Sequence, residues 1–175
     1  MATGGVMSAT DQIDDTELTF EEIKVAVEEA HSKHMTVASH AQGNRGIQLS
    51  LEAGVDSIEH GIYLDEQQAD FMKKNNVYLV PTLNAPVCIA KYGVGKLPDY
   101  MLRKNDQVKD DFFNNVALAI TKGVKIAVGT DAGTPFNGFK EGTWNEIELL
   151  HSLGAANAIA LKGATSYAAD LLRIS

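Results

Sequence analysis

The sequence predicts an α/β fold in which about four parallel strands alternate with helices, as in part of a (β/α)8 TIM-type barrel. Three observations point to this class. Short apolar, β-branched segments recur along the chain, helical patterns of apolar residues separate them, and glycine stands beside three of the four strands. This alternation indicates a parallel sheet covered by helices, either an open doubly wound sheet or part of a barrel. No linker divides the chain, so residues 1–175 are expected to form a single domain.

The first three predicted helices carry recognisable end signals. The run TFEE, which begins at Thr19, has the form of a capping box, in which a hydroxyl and a carboxylate satisfy backbone amides of the first turn. A second helix suits residues 44–53, and Gly54 follows it where a left-handed C-cap is wanted. Asp65 can cap a third helix, which should stop near Asn76.

The remaining elements follow from the same patterns. Strands are predicted over residues 36–39, 55–59, 77–83 and 124–128, and further helices over residues 99–122, 144–153 and 156–172. Residues 84–98 contain two prolines and two glycines, so this stretch is predicted to be a long irregular loop of the kind that often carries function. A second, glycine-rich loop is predicted after the fourth strand.

The composition narrows the class of partner. A net charge of −8 at pH 7 and the lack of a basic cluster argue against a general affinity for nucleic acid or anionic membranes, so a small-molecule partner is expected. Cys88 is the single cysteine, which excludes an intrachain disulfide and suits a reducing compartment. The first residues lack the pattern of a signal peptide, and no apolar run approaches about 20 residues. A cytoplasmic location is therefore expected.

Polar residues end each predicted strand, where a buried core would not select them. In strand order they are Ser39-His40, Glu59-His60, Thr82 or Asn84, and Thr130-Asp131. The carboxyl ends of parallel strands lie on one face of the sheet, so these side chains should converge although they are distant in sequence. Neutral imidazoles and a carboxylate are suitable ligands for Zn²⁺ or a similar divalent ion, which can make hydroxide available near neutral pH. The sequence therefore predicts His40, His60 and Asp131 as candidate metal ligands.

Each of these residues also has a purely structural interpretation. A histidine at a strand end can serve only as a hydrogen-bonding group, and Asp131 in the sequence GTDAG could simply cap a turn. The coincidence of two histidines and one aspartate on the same predicted rim is what favours a metal site. The other histidines, His31, His34 and His151, lie on predicted helices or at their ends and are interpreted as surface residues.

Several motifs together resemble a known family. In chain order they are MATGGVMS, TFEEI, ASHAQG, EAGVDSIEHG, VPTL, GVKIAVGTDAG and GATSYAADLL. They resemble the second half of the metal-dependent amidohydrolases, with the closest likeness to the prolidase-like and imidazolonepropionase-like branch. The likeness covers essentially the whole chain, and IEHG followed at a distance by GTDAG is a specific pairing. The fold that this resemblance implies is a distorted (β/α)8 barrel.

The resemblance assigns roles to the strand-end residues. It makes the predicted strands numbers five to eight of the family barrel and MATGGVMS the end of strand four. His40 then matches the metal-binding histidine of strand five, His60 that of strand six, and Asp131 the aspartate of strand eight, which binds metal and shuttles a proton. Family members also carry a metal-bridging carboxylated lysine on strand four and an HxH pair on strand one. Neither occurs in this chain, so a partial two-metal site is expected, with the histidines serving one metal and Asp131 the other.

The leading interpretation is a metal-dependent hydrolase acting on amide or peptide-like bonds of a small substrate, such as a dipeptide or an acyl amino acid, with Zn²⁺ or another divalent metal. An alternative is a fragment or assembly module with no catalysis of its own. A third is a phosphate-binding α/β protein that uses Gly4-Gly5 and residues 129–133, although neither stretch fits GxxxxGK[ST] or GxGxxG. A half barrel would expose strand edges, so self-association or pairing with a missing N-terminal half is expected.

Overall fold

A computed structural model of the chain, which describes residues 1–174, shows an α/β fold built on a small parallel sheet. Within those residues the sheet contains the strands β1 (Ala38–Ala41), β2 (Ser57–His60) and β3 (Tyr78–Val80), in the order β1-β2-β3. In this register His40 lies opposite Glu59 and Ala41 lies opposite His60. The parallel arrangement therefore brings the ends of β1 and β2 to the same edge.

Helices connect and cover these strands. They are α1 (Phe20–Ser32), α2 (Asn44–Ala53), α3 (Glu66–Asn75), α4 (Asn84–Tyr92), α5 (Asp99–Lys122), α6 (Gly142–Ser152), α7 (Asn157–Gly163) and α8 (Ser166–Leu171). The core joins strand residues such as Ile58 and Leu79 to helix residues such as Ile47, Phe112 and Leu150, all of them at most 2% exposed. In the part of the chain that the structure describes, no helix combines the length and the apolar character that crossing a membrane requires.

The helix ends predicted from sequence are confirmed. Thr19 and Glu22 form a reciprocal capping box at the start of α1, and Asp65 forms another at the start of α3. Gly54 ends α2 with φ of 94°, and Gly123 ends α5 with φ of 80°, both in the left-handed region that favours glycine. These signals are local, which is why the sequence alone is sufficient to place them.

The predicted fourth strand is reduced to a single parallel bridge between Leu79 and Ile126. Leu79 donates to Lys125 O and accepts from Ala127 N, each at 3.0 Å. The next ladder bond in this register would need an amide hydrogen at residue 81, and Pro81 has none, so the ladder stops there. The amide of Val128 points to the side away from β3 and donates at 2.9 Å to the carbonyl of Gly163 in α7. The segment 124–128 thus lies beside β3 without forming a full strand.

The prediction of a long irregular loop over residues 84–98 is wrong for its first part, because residues Asn84–Tyr92 form α4. Pro86 does not prevent this helix, since it occupies the first turn, where backbone amides have no partner within the helix. Two of these unpaired amides are satisfied by Glu146, a residue distant in sequence. A pattern that counts only local prolines and glycines cannot detect such a partner.

The prediction of one helix over residues 156–172 is also wrong, because this region forms α7 and α8. The interruption between α7 and α8 follows Gly163, which packs closely against the segment 124–128. A Cβ built on Gly163 would lie only 2.9 Å from the carbonyl oxygen of Ile126. The helix therefore ends where its backbone meets this segment, and α8 starts after Thr165.

The first five residues lie against β1. The amide of Ala2 donates to the carbonyl of His40 at 2.8 Å, and the hydroxyl of Thr3 accepts from the amide of Gln42 at 2.9 Å. Thr3 also pairs with Thr16 in an antiparallel bridge. This segment therefore continues the row of extended chains on the side of β1 opposite β2, and places Gly4 and Gly5 beside His40.

Candidate functional site

The side chains His40, His60 and Asp131 line one cavity of about 180 Å³ at the carboxyl edge of the sheet. His40 lies within β1, His60 is the last residue of β2, and Asp131 follows the segment that pairs with β3. The sequence-based expectation that these three residues converge is therefore met in the structure.

The two histidines contact each other directly. Their ring centroids are 4.7 Å apart, and the rings meet edge to face with an interplanar angle of 74°. This proximity follows from the register, because His40 and His60 lie one residue out of alignment on neighbouring parallel strands. The arrangement presents two imidazoles side by side on the cavity wall.

One ring nitrogen of each histidine is held by a neighbouring oxygen. Nδ1 of His60 lies 2.7 Å from the hydroxyl oxygen of Thr82, and Nε2 of His40 lies 3.3 Å from the carbonyl oxygen of Gly4. A carbonyl can only accept, so the second contact places a proton on Nε2 of His40. The opposite nitrogens, Nδ1 of His40 and Nε2 of His60, have no hydrogen-bond partner among residues 1–174. Each ring is thus oriented by a contact at one nitrogen while its other nitrogen stays unpaired, as is usual for metal-binding histidines.

Three residues at this edge have backbone conformations that are uncommon for residues other than glycine. The φ angles are 68° for His60, 57° for Thr82 and 54° for Asp131. For Thr82 the conformation is the more unusual because its side chain is β-branched. Such conformations persist only where the surroundings enforce them, and they cluster at functional sites. They mark the end of β2, the end of β3 and the loop of Asp131 as a constrained region.

The loop of Asp131 is held by Asn137, which is 2% exposed. Nδ2 of Asn137 lies 2.6 Å from the carbonyl oxygen of Thr130, 3.2 Å from that of Asp131 and 3.1 Å from the hydroxyl oxygen of Thr134. The amide of Gly133 donates in turn to the carbonyl of Asn137 at 2.9 Å. One buried side chain thus fixes the backbone on both sides of Asp131, whose own side chain is exposed at the cavity.

Asn137 belongs to a buried polar network that reaches the end of β3. Its Oδ1 accepts from Nδ2 of Asn84 at 2.7 Å. The carboxylate of Glu146, a fully buried residue of α6, accepts from the amides of Leu83 at 2.6 Å and Asn84 at 2.8 Å. The network therefore ties the start of α4, next to Thr82, to the loop of Asp131.

The surroundings shift the protonation of the two histidines toward the neutral form. Burial lowers the pKa of His60 to about 3, and the neighbouring His40 adds to the effect. Burial also lowers the pKa of His40, against the opposing effects of the Gly4 carbonyl and Asp131. Both rings are therefore neutral at pH 7, the state in which imidazole binds metal ions.

The two carboxylates at this edge shift in the opposite direction. Partial loss of hydration raises the pKa of Asp131, while the nearby His40 lowers it by a smaller amount. Burial raises the pKa of Glu59, although the hydroxyl of Ser57 donates to its Oε1 at 2.6 Å. The negative charge of Asp131 adds to the shift of Glu59.

The chemistry of the site fits a divalent metal ion in part. Two neutral imidazoles with anchored second nitrogens form a suitable pair of ligands. Across residues 1–174, however, no group of three or more His, Cys, Asp and Glu side chains is arranged around one ion position. The assignment of His40, His60 and Asp131 as metal ligands therefore stays a prediction.

The remaining polar positions predicted at strand ends have mixed outcomes. Thr82 joins the site through His60, and Asn84 joins it through the buried network. Ser39 does not, because its hydroxyl lies 2.8 Å from that of Ser50 and so faces α2. The histidines interpreted as surface residues, His31, His34 and His151, are all exposed.

Sequence reasoning missed the residues that support the site from elsewhere in the chain. Glu146, Asn137 and Asn105 lie in none of the quoted motifs, and Gln42 lies in ASHAQG without being a predicted site residue. A weak signal exists for Glu146, since it is an acidic residue at a predicted apolar helix position, between Trp144 and Leu150. The others become visible only when the chain is folded.

The chain is similar to proteins of known family and structure. The sequence model described as "Amidohydrolase family" matches residues 1–175. The ochratoxinase of Aspergillus niger is 36% identical over 132 residues, which are 75% of this chain and 27% of the ochratoxinase. The chain thus spans about a quarter of the length of this curated relative.

Two solved structures are also similar. A Xaa-Pro dipeptidase with methionine bound in its active site is 36% identical, with a TM-score of 0.87 over 99% of this chain and 42% of the dipeptidase. A prolidase in complex with N-methylphosphonate-L-proline is 30% identical, with a TM-score of 0.89 over 100% of this chain and 42% of the prolidase. The chain therefore has the fold of part of an amidohydrolase barrel.

Proposed function

Because this chain belongs to the amidohydrolase family, we propose that it forms part of a metal-dependent hydrolase that cleaves an amide or peptide-like bond in a small substrate. The observation that carries the proposal is the pair of neutral, adjacent imidazoles of His40 and His60, each oriented through its second nitrogen. Buried histidines with a purely structural role would not need both rings to present an unpaired nitrogen beside the same cavity.

The proposed ligands are Nδ1 of His40 and Nε2 of His60 for one ion, with the carboxylate of Asp131 serving a second ion. Zn²⁺ is the proposed metal, since imidazole and carboxylate suit it. When bound, such an ion supplies Lewis acidity and a reactive water near neutral pH. Thr82 and the Gly4 carbonyl hold the rings, so that each keeps its metal-binding nitrogen turned toward the cavity.

Asp131 is the proposed proton carrier. Its carboxylate would accept a proton from the attacking water and deliver it to the leaving nitrogen of the substrate, as a general base and then a general acid. Asn137 supports this role, because it fixes the backbone from Thr130 to Thr134 through its side-chain amide. The carboxylate thus has a rigid support and an exposed position on the cavity.

The proposed substrate class is a dipeptide or an acyl amino acid. Support comes from the similar proteins, among which are a Xaa-Pro dipeptidase, a prolidase and an ochratoxinase. We further propose that β1, β2, β3 and residues 124–128 correspond to strands five to eight of the family barrel. The hydrogen bond from Ala2 to His40 supports the placement of the first residues beside strand five, as the end of strand four.

The proposal is tested by native mass spectrometry of the protein purified with zinc supplied. We expect zinc in proportion to chains in the unmodified protein, loss of that zinc in His60→Ala, and its retention in His151→Ala, which removes an exposed histidine outside the cavity. Metal-free chains, or equal loss in both variants, would contradict the proposal and favour a fragment or assembly module without a metal site of its own.

A further inference from the structure

The cavity beside the two histidines contains unpaired hydrogen-bond acceptors. Oδ1 of Asn105 and Oε1 of Gln42 are buried and have no hydrogen-bond partner within residues 1–174. Both residues line the cavity, and their exposed fractions are 2% for Asn105 and 6% for Gln42. Buried polar atoms in proteins are nearly always paired, so each of these oxygens calls for a donor.

The orientation of the Asn105 side chain follows from its other contact. Nδ2 of Asn105, in α5, donates to the carbonyl of Pro86, in α4, at 3.2 Å. A carbonyl cannot donate, so the amide nitrogen must face Pro86 and the oxygen must face away from it. The acceptor position of Oδ1 is therefore fixed by the packing of α4 on α5.

The side chain of Gln42 lies beside the histidine pair. A Cβ built on Gly5 would lie 3.5 Å from Nε2 of His40 and 3.7 Å from Nε2 of Gln42, so both side chains pack against the same glycine. Gln42 follows His40 by two residues at the end of β1, and its side chain lies on the same cavity wall. A donor that pairs with Gln42 would therefore bind in the same cavity as the two histidines.

Most of the remaining cavity wall is apolar. Its apolar side chains come from α4, from α5, from the segment near the start of the chain and from the loop after β2. Among them are Val6, Ile62, Ile89, Val108 and Phe112. The cavity of about 180 Å³ is large enough for a phenyl-sized group, since an apolar cavity of about 150 Å³ holds benzene. Apolar pockets with a few placed polar atoms are typical of small-ligand sites.

We propose that Asn105 and Gln42 form a substrate subsite that binds an N–H donor attached to an aromatic or large aliphatic group. The inference rests on the proposed hydrolase function and specifies its substrate. The N–H of the secondary amide in an N-acyl amino acid is one source of this donor. The ammonium group of a dipeptide is the other. Asn105 and Gln42 act in recognition and are not part of the set of proposed metal ligands.

Calorimetric titration with matched probes tests the subsite. N-benzoylglycine carries an amide N–H, whereas O-benzoylglycolate has the same shape with an ester oxygen in its place. We expect the unmodified protein to bind the amide about tenfold more tightly, because the ester would leave the acceptors unpaired. Asn105→Leu should bring this ratio close to one.

Asn115→Leu is the matched control. Asn115 also lies on α5 and also donates from Nδ2 to a backbone carbonyl, that of Ile62 at 2.9 Å, but it does not line the cavity. Its removal should keep the tenfold preference. Gln42→Met, of similar volume, provides a second test should Asn105→Leu fail to fold. Equal binding of the two probes to the unmodified protein, no binding of either, or a preference that survives both cavity variants would overturn the inference.

Two further arms separate the possible results. Leucyl-proline has N–H donors only in its amine. If the binding of leucyl-proline depends on Asn105 and the binding of N-benzoylglycine does not, the ammonium is the group that the subsite recognises. The titrations are run both without metal and with zinc. An N–H preference in a protein that fails to bind zinc would support the subsite and contradict the proposed function, whereas zinc binding without the preference would do the reverse.

Discussion

Asn137 is the residue on which the position of Asp131 depends most directly. Its side-chain amide contacts three oxygens of the loop from Thr130 to Thr134, and its own oxygen accepts from Asn84. Because Asn137 is almost fully buried, water cannot replace these contacts when the side chain is shortened. The residue connects the stability of the fold with the geometry of the site.

We predict that Asn137→Ala lowers the free energy of unfolding by about 2 kcal/mol, since several buried partners lose their hydrogen bonds together. Urea denaturation measures the change. Asn75→Ala is the control, because Asn75 is exposed and makes one side-chain contact, to the carbonyl of Phe71. Equal stability of the two variants would show that the Asn137 contacts do not hold the loop.

Glu146 makes the free energy of unfolding depend on pH, and a substitution of this residue can isolate its contribution. Burial raises the pKa of Glu146 to about 7, although its bonds with the amides of Leu83 and Asn84 oppose the shift. The folded protein therefore binds this proton more tightly than the unfolded chain, in which the pKa is near 4.5. Its contribution to stability is fully present below pH 4.5 and is lost as the pH rises through about 7.

We predict that the unmodified protein loses about 3 kcal/mol of unfolding free energy relative to Glu146→Gln between about pH 4 and about pH 8. Taking the difference between the two proteins cancels the titration of His60 and other groups. Glu148→Gln, an exposed position on the same helix, should show no comparable dependence. A difference between the unmodified protein and Glu146→Gln that stays constant with pH would contradict the assignment.

At the residue scale, the sequence is sufficient for some of the site and insufficient for the rest. His40, His60 and Asp131 could be predicted because each follows an apolar strand, and parallel strands end on one face. Asn137 and Glu146 could not, because their partners lie between three and 63 residues away and leave no periodic pattern. Local motifs therefore predict the side chains that line the cavity, whereas the residues that support them are identified only in the folded structure.

At the scale of elements, two features explain the errors in the strand and helix predictions nearby: Pro81, directly after β3, and the contact between α7 and the segment 124–128. Pro81 cannot donate the next ladder bond to the segment, and the amide of Val128, on the side away from β3, donates to Gly163, where α7 ends. Periodicity predicted an extended segment and a long helix there, since it describes each element separately. The missing amide hydrogen of Pro81 limits the strand, and the close approach of Gly163 to Ile126 accompanies the end of the helix.

We predict that Gly163→Ala lowers the free energy of unfolding by about 1–3 kcal/mol, although alanine ordinarily favours a helix over glycine. The reason is that the new Cβ would lie 2.9 Å from the carbonyl oxygen of Ile126 and 3.2 Å from a methyl group of Val128. Gly138→Ala is the control, because a Cβ there meets no atom within 4 Å. Thermal denaturation of both variants checks the prediction, and a stabilised Gly163→Ala would contradict it.

At the scale of the whole molecule, the chain covers 42% of the solved amidohydrolases it resembles. Its parallel sheet, in the region from residue 1 to residue 174, contains three strands and one bridged segment. Parallel sheets are normally buried on both faces and continue until their edges are covered. We predict that the isolated chain self-associates, or binds a polypeptide that supplies further strands. Sedimentation velocity tests this, and a monomer that binds no dye for apolar surfaces would contradict it.

The central claim is that His40 and His60 together hold a metal ion through defined nitrogens. The most direct measurement is a long-range ¹H–¹⁵N NMR spectrum of the histidine rings, recorded before and after zinc is added. We predict that the resonances of Nδ1 of His40 and Nε2 of His60 move on zinc addition, while those of His31, His34 and His151 stay in place. Unchanged resonances for both cavity histidines, or shifts confined to the exposed ones, would contradict the account.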